Sequence, residues 1–100
     1  MSDGTMSPAT NTTLTFTTAT HLAGVTIRSS YPIYKFNVYW TYGDNTSDSK
    51  TVTFTNEYQD TYTYQIPINE DNIKEVSVSI SKGTPYARTQ VYYVYPRFNL

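Results

Sequence analysis

Cysteine is absent from this chain of 100 residues. That excludes disulfides, thiolate metal sites and a cysteine nucleophile, and it leaves folding to the apolar core alone. At this length a single core can remove roughly 60–70% of the unfolded chain's surface from water, so no staple is needed. Charge is sparse as well, with seven Lys and Arg against eight Asp and Glu and a formal net charge of −1. Arg28, Lys35, Lys50, Lys74, Lys82, Arg88 and Arg97 are scattered among neutral neighbours. Phosphate recognition requires clustered cations, so no nucleic-acid partner is expected. No apolar run approaches the roughly 18–20 residues that cross a bilayer as a helix, so no membrane insertion is expected. The opening MSDGTMSPATNTT has neither a basic nor an apolar segment of the secretory kind.

Strong helix formers are scarce too, and nowhere is a helical period sustained over ten residues. What the chain has instead is threonine, valine and eleven tyrosines, residue types suited to a pleated, half-buried surface. Residues 1–13 are rich in Ser, Thr, Asn, Gly and Pro without periodicity and predict a flexible N-terminal arm. Residues 14–100 predict one domain.

Alternation with a period of two marks seven strands: TLTFTT, GVTIRS, YKFNVYWTY, KTVTFTN, TYTYQIPI, EVSVSIS and QVYYVYP. In the third, Tyr34, Phe36, Val38, Trp40 and Tyr42 fall on one face, with Lys35, Asn37, Tyr39 and Thr41 on the other. In the sixth, Val76, Val78 and Ile80 alternate with serines. The predicted core is Phe36, Val38, Trp40, Tyr64, Ile66, Val76, Val78 and Ile80. Faces are ambiguous in the seventh strand. Pro67 cannot donate to a ladder and predicts a sheet edge or a bend. Turn formers at 42–50, 68–72 and 81–85 separate strands too closely for helical crossovers. The expected fold is therefore all-β, an antiparallel two-sheet sandwich, with a jelly roll or small barrel as alternatives.

Seven strands with a tryptophan in the third resemble an immunoglobulin-like or fibronectin type III-like sandwich. The resemblance is one of strand pattern over residues 14–96. It lacks the inter-sheet cysteine pair, and Ile73 and Lys74 stand where a corner tyrosine would precede the sixth strand. It implies a core built round Trp40 and does not carry a function with it.

Catalytic chemistry finds little support. His21 is the single histidine, set in TATHLAG with no nucleophile motif, and is expected in a loop between the first two strands. One imidazole cannot supply a metal cluster, and no cofactor is expected. Asp44, Asn45 and Asp48, with Asn69, Glu70, Asp71 and Asn72, offer oxygen ligands without the spacing of a calcium loop, and read as turn formers unless both loops share one end of the fold. Asn11-Thr12-Thr13 and Asn45-Thr46-Ser47 match the glycosylation sequon, a match that abundant threonine produces by chance.

Tyrosines exceed what one small core holds, so some belong to a surface. Tyr39, Tyr92, Tyr31 and Tyr86 are the candidate ligand or partner residues, together with Phe98 in the tail YPRFNL, which docks on a partner or on its own domain. The expected function is a non-catalytic structural or interaction module on a virion or cell surface, bound to a larger assembly or capsid subunit. It is similar in this to immunoglobulin-like domains on phage particles. The alternative is a carbohydrate-binding module whose exposed tyrosines stack on a surface glycan.

Overall fold

A strand rises about 3.3 Å per residue, so 19 residues in one straight strand would span about 60 Å. In the computed structural model of this chain, which describes residues 5–7, 11–82 and 92–99, one strand does run for 19 residues. The molecule's longest dimension is only 40 Å. That strand must therefore bend, and its bending organises the fold.

Six strands form one antiparallel sheet: β1 (Thr5–Ser7), β2 (Asn11–Ser29), β3 (Lys35–Tyr42), β4 (Ser47–Thr53), β5 (Tyr62–Lys82) and β6 (Tyr92–Arg97). The order across the sheet is β1-β6-β2-β5-β3-β4. No helix occurs among the described residues. The strand count differs from the seven expected because two expected pairs are continuous, which leaves five, and Thr5–Ser7 adds a sixth. TLTFTT and GVTIRS both lie in β2, and TYTYQIPI and EVSVSIS both lie in β5. The predicted arm differs as well, since Thr5–Ser7 pairs with β6 and Asn11–Thr13 pairs with β5. Thr12 is buried there. Threonine-rich polar sequence without apolar alternation still makes a ladder when a neighbouring strand supplies partners.

β2 and β5 form a long ribbon whose two ends have different neighbours. At one end, Gly24–Ser29 pairs with Tyr62–Pro67 of β5 and with Tyr92–Arg97 of β6. At the other, Asn11–Thr15 pairs with Glu75–Ser79, and β3 and β4 extend that end. Between them the register shifts three times, and nine steps of β2 (15 to 24) span eight of β5 (67 to 75). The extra residue reverses parity in β2. Leu14 and Phe16 point inward before it, and Val25, Ile27 and Ser29 after it. Asn69 and Asn72 take positive φ values of 53° and 61° at the bend of β5, a conformation asparagine tolerates better than branched residues.

The bend lays one end of the ribbon over the other. Phe36 of β3 pairs in register with Ile80, yet its ring meets Tyr64 edge-on at 5.3 Å, and Tyr64 belongs to the opposite end of β5. Phe54 closes the cluster against Tyr64 at 4.8 Å. Phe36, Val38, Ile66, Val76 and Val78 are fully buried, and Trp40 and Tyr64 nearly so. Ile80 is half-buried and packs on the core's margin, as does Tyr42, while Tyr34 is half-buried at the other end of their row. Pro67 sits where β5 has β2 on one side and no strand on the other among the described residues, so the missing donor costs no ladder bond.

Candidate functional site: a tyrosine-lined cleft

Parity decides which side chains of β6 reach solvent. Val94 is fully buried, while Tyr93 and Tyr95 are 42% and 37% exposed. Two residues of strand rise separate the tyrosines by about 6.8 Å, and their rings stand nearly parallel, with centroids 6.3 Å apart and planes 16° apart. The same arrangement occurs inside the core, where Tyr62 and Tyr64 are 6.5 Å apart and 7° from parallel. One pair fills the interior and the other is presented outward.

The outer pair lines a cleft of about 320 Å³, within the size range of small-ligand sites. Its other walls are Arg28, Ser29, Ser30 and Thr61. Strand pairing places them: Arg28 is directly opposite Tyr93, and Thr26 directly opposite Tyr95. Ile27 is fully buried between them in sequence, so Arg28 shares the outer face with the two rings. Ser30 and Thr61 come from the loop ends where β2 stops and β5 begins. The cleft thus combines two aromatic faces, the exposed hydroxyl side chains of Ser30 and Thr61, and one guanidinium.

Of the residues expected from sequence to meet a ligand, Tyr39 and Tyr31 are exposed, at 52% and 46%. Neither is among the residues that line the cleft. Tyr39 stands on β3 between Ser49 and Ser77. Tyr31 follows β2, with its N–H donating to the Ser29 hydroxyl at 3.1 Å. Tyr86 lies outside the described residues, as does the Tyr92 side chain. Phe98 is turned onto its own domain, edge-on to Phe16 at 5.6 Å, and packs on the core's margin. This is the own-domain alternative of the two expected for the tail. Tyr93 and Tyr95 were missed because a run of alternating aromatics, VYYVY, does not reveal which parity is buried.

His21 lies within β2, not in a loop. Its Nδ1 is 2.7 Å from Asp71 Oδ1, and among the described residues no hydroxyl is bonded to it. The two acidic loops do share one end of the fold, since the Gly43 N–H donates to the Asn72 carbonyl at 2.8 Å. The Lys74 ammonium occupies that meeting point, donating to Asn45 Oδ1. No group of three or more potential metal ligands occurs among the described residues.

No family model matches the chain, and no curated protein matches it. A solved structure described as "CBM4 structure and function" is similar, with 21% identity over 87% of this chain and a TM-score of 0.37. The match spans 59% of that structure's chain.

Proposed function

We propose that this chain is a non-catalytic glycan-binding module and that the sugar sits in the cleft beside Tyr93 and Tyr95. The observation that supports this is the pair of near-parallel, exposed rings among hydroxyl and guanidinium groups. A sugar presents an apolar C–H face and a polar rim. A tyrosine ring receives the first, and side chains such as Ser30, Thr61 and Arg28 bond the second. The bent sheet acts here as a sandwich whose dry interior holds β6 rigid. Such a module works where glycans are displayed, on a cell or virion surface.

Isothermal titration of the full chain with soluble oligosaccharides tests the reading. Tyr93→Ala and Tyr95→Ala each remove one stacking face, and each is expected to weaken binding about tenfold, equivalent to about 1.4 kcal/mol. Unchanged binding in both variants would sink the assignment of the cleft.

A second surface favours a protein partner. Tyr39 rises from the outer face of β3 among Asn37, Ser49, Thr51, Ser77 and Ser79, with Glu75 the one charged residue beside it in register, a mostly uncharged field round one aromatic anchor. Depletion of charge round an exposed aromatic is a feature of interface centres. On this reading Tyr39 fastens the module to its larger assembly while the cleft stays open. Tyr39→Ala then leaves oligosaccharide titration unchanged and abolishes co-sedimentation with the assembly.

A further inference from the structure

A cation built into a ligand cleft without a carboxylate to neutralise it is free to meet an anion there. Arg28 is exposed, lines the cleft and faces Tyr93 across the β2–β6 ladder. Its other neighbour in register is Thr63, which is neutral. Asp60 adjoins Thr61 in sequence but is not among the residues lining the cleft. Among the described residues, the one ion pair is His21 with Asp71, so Arg28 has no acidic partner there.

A second guanidinium continues the row. Arg97 follows Tyr95 by two on β6 and pairs in register with Gly24. Its side chain lies across that glycine: a methyl group placed on Gly24 would come 2.7 Å from Arg97 Nη2. Arg97 also has no carboxylate bonded to it among the described residues, and its Nε is buried without a hydrogen-bond partner there. The outer face of β6 therefore presents Tyr93, Tyr95 and Arg97 in sequence, with Arg28 beside Tyr93 on the neighbouring strand β2.

We infer that the ligand of this cleft is an acidic glycan whose carboxylate or sulfate is received by Arg28. The inference rests on the glycan reading above and narrows it. Guanidinium presents paired N–H donors in a plane, matching two oxygens of an oxyanion at once, while the flanking rings take the sugar's apolar face. The chain's net charge of −1 gives no general attraction to polyanions, so a preference for acidic sugars has to arise locally.

The test is titration of the full chain, in about 0.15 M salt where long-range attraction is screened. Three probes are used: an oligogalacturonate, a sulfated galacto-oligosaccharide and an uncharged xylo-oligosaccharide. At least one acidic probe is expected to bind tenfold or more tightly than the neutral one, and which of the two does so identifies the anion. Arg28→Gln should bring that affinity down to the neutral value, and Arg28→Lys should recover only part of it because the paired donors are gone. Lys35→Gln, an exposed cation on β3, should change nothing. Equal or tighter binding of the neutral probe, or an unchanged Arg28→Gln, overturns the inference. If Tyr93→Ala still weakens neutral binding about tenfold in that case, the glycan reading stands without it. If none of the probes binds and Tyr93→Ala behaves as the parent, both fall together.

Discussion

The Tyr64 hydroxyl holds two loops with one atom. It accepts from the Ile33 N–H at 2.7 Å and donates to Asn56 Oδ1 at 2.8 Å, and the Asn56 amide returns to the Ile33 carbonyl at 2.9 Å. Burial pushes this phenol above its usual range, so it stays a neutral donor at any ordinary pH. Tyr64→Phe keeps the ring in its cluster but strands a buried N–H, a loss of about 1–3 kcal/mol. Urea denaturation should register it as a lower midpoint with an unchanged slope. Asp44 does comparable work in the turn between β3 and β4, accepting from the Thr46 hydroxyl at 2.6 Å and the Thr46 N–H at 3.1 Å. These donors hold its carboxyl below the ordinary aspartate range. A depressed carboxyl pKa stabilises the fold at pH values above the unfolded pKa, and the contribution disappears as pH falls through the folded one. Asp44→Asn should therefore lower the melting temperature near neutrality and converge with the parent in acid.

At the scale of the strand, the informative positions are those where regularity breaks. Gly24 ends the irregular stretch of β2 and opens its outer-face pairing with β6. A side chain there would collide with the Ile66 carbonyl oxygen as well as with Arg97, and backbone cannot step aside cheaply. Gly24→Ala is expected to cost about 1–3 kcal/mol. Calorimetry measures the loss, and displacement of Arg97 should accompany it as weaker binding of an acidic oligosaccharide. Edge strand β4 shows the opposite economy. Its residues Ser47, Asp48, Ser49, Thr51 and Thr53 are exposed and polar, so the unpaired edge offers a poor template for another chain. Val52 packs on the core's margin, and Lys50 also turns toward the fold, where it donates to the Pro67 carbonyl and desolvation lowers its pKa.

For the whole molecule, the ribbon of β2 and β5 has a mechanical consequence. Each strand passes through both ends of the sheet, and Phe36 and Tyr64 join those ends across the core. Neither end keeps its ladder if the other opens. Unfolding should be a single transition, with Trp40 fluorescence, tyrosine circular dichroism and far-ultraviolet signal superimposing along one urea curve. Two separated transitions would show that the ends are independent. The contacts that matter are distant in sequence, as in the pairing of Asn11 with Ser79, so folding should be slow for a chain of this length.

Local sequence determined the element type and the buried rows. Side chains alternate across a pleated strand, so Phe36, Val38 and Trp40 had to share a face, and their apolar character made that face the inner one. The same local rule could not count strands, because a bulge that turns a corner and a turn that ends a strand use the same Asn-rich composition; the ladders either side of 68–72 decide between them. Nor could it orient VYYVY, whose two parities are almost equally apolar. Packing of Val94 into the core settled that orientation, turned Tyr93 and Tyr95 outward, and set Arg28 beside them from a strand more than sixty residues away. Phe98 was assigned in the same way, by the presence of Phe16 within reach. A surface site assembled across strands depends on pairing partners and register, and those are properties of the folded chain alone.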